Sequence, residues 1–190
     1  MIRMGPRGQA RVAHEVCPPY QGDAMTPREV LERTPFFAGV MSAADLDRLA
    51  AKLLVKSFPR GACIVRQGDI GTSMFILVDG KVNVTLHLRA GEERVATLGP
   101  GNIVGEMSLL TGARRSATVT ATRAVNALEI GKAAMEEILA DGPELIGRFA
   151  EMVEQRKGEI DNLLALDDRQ DSIGLSRAEI AARMTAFYAG

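Results

Sequence analysis

The sequence predicts a mainly β domain, a β-roll or jelly roll with flanking helices, on three observations. Residues 54–130 carry a hydrophobic period of two, with frequent β-branched residues and glycines recurring at turns. Upstream and downstream of that stretch the period becomes helical. Helix-start signatures fall at Thr26 and Ser42, both ahead of the β-rich part. The expected division is a flexible leader over residues 1–25, a folded domain over 26–166 and a helical tail over 167–190. Within the domain, helices are expected over 26–53, the roll over 54–130 and two further helices over 132–166.

The leader mixes Arg3, Arg7, Arg11, His14, glycine and Pro18-Pro19 with no apolar period. Thr26-Pro27-Arg28-Glu29 then combines a side-chain cap, a proline at the first helical position and a glutamate three residues after the cap. Ser42 caps a second helix carrying Leu46, Leu49 and Leu53. The roll is expected to hold strands at Ala62–Arg66, Ser73–Val78, Lys81–Leu88, Val95–Leu98, Ala117–Ala121 and Asn126–Ile130. Turns at Gly68-Asp69, Asp79-Gly80, Arg89–Arg94 and Leu98–Gly101 separate them. Lys81–Leu88 alternates polar and apolar throughout, as a half-buried antiparallel strand does. A roll closes the edges that so many short strands would expose. Lys132–Leu139 is helical, Asp141-Gly142-Pro143 breaks it, and a second helix resumes at Glu144. Along that helix Leu145, Ile146, Phe149, Met152, Val153, Ile160, Leu163 and Leu164 form one apolar stripe.

Composition excludes several functions. The 190 residues hold 23 basic and 24 acidic side chains, a net charge of -1, so nothing suggests bulk attraction to nucleic acid or anionic membrane. Two cysteines make no disulfide framework and point to a reducing compartment; Cys63, in an apolar run, reads as a small core residue. No run of about 18 apolar residues and no secretory signal is present, so a cytoplasmic location is expected. His14 and His87 have no neighbouring metal ligands, and Ser108 has no histidine to activate it. No catalytic residue, metal or cofactor is assigned.

The chemistry lies in Gly105–Val119. A glycine lets backbone approach a ligand closely, and a short helix starting there offers unpaired N–H groups to an anion. Arg115, from the far side, presents a planar fork suited to two phosphate oxygens. Glu106 would repel a phosphate unless it accepts hydrogen bonds from something else, and sugar hydroxyls are apt donors. Phosphate plus ribose suggests a nucleotide.

This run resembles the phosphate-binding cassette of cyclic-nucleotide-binding domains: Gly-Glu, two small or apolar residues, Leu, a short loop, then Arg, a small residue, Ala and Thr. The likeness covers about residues 27–160. It implies that Glu106 holds the ribose 2′-hydroxyl, Arg115 the cyclic phosphate, and Ser116 the phosphate through hydroxyl and N–H. Gly105, Met107, Ser108 and Ala117 would add backbone contacts, Val84 would line the base pocket, and Arg156 would stack over the purine. Arg114 stands where proline is common and is expected to point into water. Serine rather than threonine at 116 favours cyclic AMP over cyclic GMP.

The implied role is a sensor whose helices from Lys132 to Leu166 close over the base and pass the signal on. The tail resembles endings of bacterial cyclic-nucleotide-regulated channels, which implies a channel's cytoplasmic regulatory domain with membrane segments before residue 1. The alternatives are the sensor of a catabolite-activator-like regulator and a stand-alone binding protein. Leu175–Met184 looks like the first helix of a helix-turn-helix, yet no recognition helix follows, so no DNA binding by this chain is expected. Pairing of two copies through the C-terminal helix is a further expectation.

Overall fold

The computed structural model describes residues 25–89, 91–142, 144–165 and 176–188, and of residues 156–165 the backbone alone. Two short helices open it, α1 (Pro27–Arg33) and α2 (Ala43–Ala50). Each begins with a capping box. The Thr26 hydroxyl accepts from the Glu29 N–H while the Glu29 carboxylate accepts from the Thr26 N–H at 2.7 Å, and Ser42 and Asp45 repeat the exchange. Met25, assigned to the leader, instead packs partly buried against the core; the rest of the expected leader lies outside the described residues.

Eight strands follow: β1 (Leu54–Phe58), β2 (Cys63–Val65), β3 (Ser73–Asp79), β4 (Val82–Leu88), β5 (Gly91–Leu98), β6 (Ile103–Val104), β7 (Thr118–Ala121) and β8 (Val125–Gly131). They pair antiparallel in two four-stranded sheets, ordered β1-β8-β3-β6 and β2-β7-β4-β5. The chain crosses repeatedly between the sheets, which makes the expected roll. Helix α3 (Glu106–Thr111) interrupts it between β6 and β7. After the roll come α4 (Lys132–Asp141), α5 (Glu144–Ala165) and, in the tail, α6 (Arg177–Tyr188). Among the described residues no helix is long and apolar enough to cross a membrane.

β3 divides the core. Phe75 and Leu77 point between the sheets toward Val82, Val104 and Val119, while Met74 and Ile76 point outward into a second cluster. That second cluster gathers Leu31, Phe36 and Leu49 from the N-terminal segment with Met135, Phe149 and Val153 from α4 and α5. Phe36 stacks on Phe149, ring centres 5.3 Å apart, so the helices before and after the roll meet on its outer face.

Three local expectations are corrected. Cys63 is exposed, because β2 is only three residues long and turns that side chain outward. β5 begins at Gly91, which pairs with Leu88, so most of the expected Arg89–Arg94 turn is strand; its exposed Glu92, Glu93 and Arg94 are the charges an edge strand carries. Ile103–Val104 is a further short strand, held by pairing to Ile76 and Phe75.

Candidate functional site

β6 delivers the chain to Gly105, whose φ of +82° turns it sharply into α3. Gly112, at φ +69°, ends the helix with its N–H donating to the Ser108 carbonyl. Residues 113–116 then return toward β7. Along this return Arg115 is stitched to the turn before β3: its N–H donates to the Asp69 carbonyl at 2.8 Å and its carbonyl accepts from the Gly68 N–H at 2.9 Å.

The Arg115 side chain is 8% exposed. Its Nη1 donates to the Gly105 carbonyl at 2.7 Å and Nη2 to the Ser73 hydroxyl at 3.4 Å. Two glycines make room for it. A Cβ at Gly71 would lie 2.1 Å from Nε, and one at Gly105 2.4 Å from Nη1. Burial pulls the guanidinium below its ordinary pKa, while Glu106 and Asp69 oppose that shift electrostatically. It stays charged, because an arginine in a protein does not give up its proton at neutral pH. Arg114 is exposed as expected, and its Nη1 also donates to the Gly68 carbonyl at 2.8 Å.

Arg115 opens into a cavity of about 560 Å³, within the usual size of small-molecule sites. Gly105, Glu106, Met107, Ser108, Ser116 and Ala117 line it beside Arg115, and Val84 lines it from β4. Eight of the nine expected residues therefore share one cavity. The ninth, Arg156, lies on α5 with its side chain outside the described residues. A smaller cavity of about 240 Å³ adjoins Arg115 near Cys63 and Ile70, without Glu106 or the rest of the cassette.

The sequence reading missed the opposite wall. Val95, Ala96 and Leu98 of β5 and Phe36 contribute apolar surface, and Met152 and Gln155 reach the cavity from α5. Met152 belonged to the recognised stripe, and Gln155 follows three residues later on the same helix face. That spacing was the available signal. Among the described residues no group of three or more His, Cys, Asp and Glu could hold a metal ion.

A family model described as the cyclic nucleotide-binding domain matches residues 55–141. A cyclic nucleotide-gated potassium channel of Rhizobium etli is 32% identical over 130 residues, covering 68% of this chain and 35% of the channel. A CRP-like cAMP-activated global transcriptional regulator of Mycobacterium tuberculosis is 29% identical over 138 residues, covering 72% of this chain and 61% of the regulator. The chain thus spans less than two thirds of the length of either relative. Among solved structures, the regulatory domain of Toxoplasma gondii PKA with cAMP superposes with a TM-score of 0.57 at 25% identity, covering 82% of this chain and 55% of that one. The match extends from β1 to the end of α4 and includes every cassette position, and by it residues 55–141 belong to the cyclic nucleotide-binding domain family.

Proposed function

We propose that the cavity between the cassette and α5 binds a cyclic nucleotide, cyclic AMP in preference to cyclic GMP, and that occupancy moves the C-terminal helices. One observation carries the reading: Arg115 and Glu106, both over nine-tenths buried, face the same nucleotide-sized cavity. In this assignment Arg115 neutralises the cyclic phosphate, assisted by Ser116 and the backbone of Gly105, Met107, Ser108 and Ala117. Glu106 accepts from the ribose 2′-hydroxyl. Val84 and the β5 residues wall the base, and α5 closes over it with Met152, Gln155 and Arg156. Such closure is a population shift, in which ligand favours the state it touches most.

The preference for cyclic AMP rests on Ser116 and is supported by the cyclic AMP named with the Toxoplasma structure. The output assigned is control of an ion channel, supported by the rhizobial relative. A second output, transcription control, is favoured by the fuller coverage of the mycobacterial regulator.

Titration calorimetry with cyclic AMP, cyclic GMP and 5′-AMP tests binding and selectivity, with recovered ligand checked for hydrolysis. Arg115→Ala should weaken cyclic AMP by at least about 2 kcal/mol, roughly 30-fold. Unchanged affinity would remove the site. Equal binding of 2′-deoxy cyclic AMP would remove the ribose role of Glu106. The channel reading stands or falls on cyclic-AMP-dependent ion flux through the full gene product reconstituted in vesicles.

A further inference from the structure

The ligand cavity makes no use of α6, yet this helix is firmly seated. Ile180 and Met184 are completely buried. The Arg177 N–H donates to Glu154 of α5 at 2.8 Å, and its guanidinium lies 3.5 Å from Glu151. Those contacts fix the start of α6 along α5. Its last turn lies elsewhere, on the carboxyl end of the cassette helix α3.

Two side chains make that second contact. The Tyr188 hydroxyl donates to the Leu109 carbonyl at 2.6 Å. Leu109 is among the last residues of a helix, whose carbonyls lack intrahelical partners. The Ala113 N–H that could have reached it donates to the Thr111 hydroxyl instead. Tyr188 therefore satisfies a carbonyl that the cassette helix leaves open at its end. Burial, with Glu136 adding to it, pushes the phenol up, so the proton it donates is retained. Phe187 covers Gly112, the glycine that ends α3; a Cβ there would lie 2.7 Å from the ring. The Lys132 ammonium sits 4.2 Å from the centre of the same ring, which ties the first residue of α4 to the contact.

We propose that Phe187 and Tyr188 are positioning residues for the ligand site: the last turn of α6 clamps the cassette helix in the place where Glu106 and Arg115 share one cavity. The inference rests on the cassette being the nucleotide site. The clamp and the ligand then favour the same cassette position, and linkage requires that each strengthens the other. Neither residue lines the cavity, so their influence on affinity is indirect, through the cassette helix they touch.

The test uses the whole 190-residue chain. Tyr188→Phe keeps the ring and removes only the bond to Leu109, and should weaken cyclic AMP by about 2- to 10-fold. Phe187→Ala uncovers Gly112 and Lys132, and should weaken it by about 5-fold or more. Hydrogen–deuterium exchange supplies the reading that loss of packing alone would not move. Saturating cyclic AMP should slow exchange over the last turn of α6, residues 185–188, whose Phe187 and Tyr188 pack on α3. Without ligand, both variants should exchange faster than wild type over 106–112, with β3 and β8 unchanged. Wild-type affinity in both variants, or an α6 whose exchange ignores saturating ligand, would overturn the clamp. If the wild-type chain binds no cyclic nucleotide, the nucleotide reading fails by itself. The ligand-free exchange over 106–112 then decides the clamp: faster in the variants supports it, and unchanged overturns it.

Discussion

Gly71→Ala offers a sharp perturbation of the phosphate anchor, because it disturbs Arg115 without touching the ligand or straining the backbone. Gly71 is buried and lacks the positive φ seen at Gly68 and Gly105, so alanine fits its conformation. The new Cβ would nevertheless lie 2.1 Å from Arg115 Nε and 2.2 Å from Cζ. Ordinary contact is about 3.5 Å, so the guanidinium must retreat by roughly 1.4 Å. The 2.7 Å bond from Nη1 to the Gly105 carbonyl cannot survive that shift, and the fork no longer points where it did. A fork aimed away from the phosphate that misses one charge-assisted hydrogen bond to it forfeits about 1.5–3 kcal/mol of binding, a roughly 10- to 150-fold weaker cyclic AMP affinity. The displaced group is the end of a flexible side chain, so the thermal midpoint should move by only a few degrees. Calorimetry beside thermal denaturation reads both quantities. Gly131→Ala is the control, since a Cβ there meets nothing within 4 Å and its φ is −89°. In an Arg115→Ala background Gly71→Ala should add no further loss. Wild-type affinity in Gly71→Ala, or full additivity with Arg115→Ala, would refute the glycine seat.

Two further outcomes concern stability. Phe149→Ala should cost about 3–5 kcal/mol, lowering the thermal midpoint by roughly 10 °C, because the ring is fully buried between Phe36 and Phe37; differential scanning calorimetry measures this, and a change below about 1 kcal/mol would contradict the packing. The carboxyls of Glu29, Asp45 and Glu179 lie below their usual range, chiefly through hydrogen bonds from the cap residues Thr26, Ser42 and Ser176. A depressed folded-state value stabilises above the unfolded carboxyl pKa of about 4 and is lost as pH falls through the folded value. Urea midpoints from pH 7 to pH 3 should fall along that slope, and Ser42→Ala should flatten it.

Much of this arrangement is written locally. Both capping boxes, the alternation of β4 and the spacing of Gly105, Glu106 and Arg115 are short-range patterns, and each became the element or cavity lining expected of it. Long-range placements were not legible in that way. Nothing near Cys63 says which side of a three-residue strand faces out. The charges of Glu92–Arg94 suit a turn and an edge strand equally, and pairing with β4 decides between them. Gly71 looks like one more turn glycine until the distant Arg115 is laid against it. Likewise Phe187 and Tyr188 read as part of a helical tail with no stated contact, and only the packing of α6 brings them to the cassette.

The division of the core by β3 bears on where this domain can be cut. Residues 55–141 carry the family pattern, but the outer wall formed by Met74, Ile76, Leu128 and Ile130 is roofed largely by side chains beyond those limits: Leu31, Phe36, Phe37, Phe149 and Val153. A fragment trimmed to the family match would present that wall to water as a broad apolar patch, a surface that promotes self-association. The segment matched by the family model is therefore smaller than the segment that buries this wall. For the excised domain, solubility depends on residues that no cassette pattern contains.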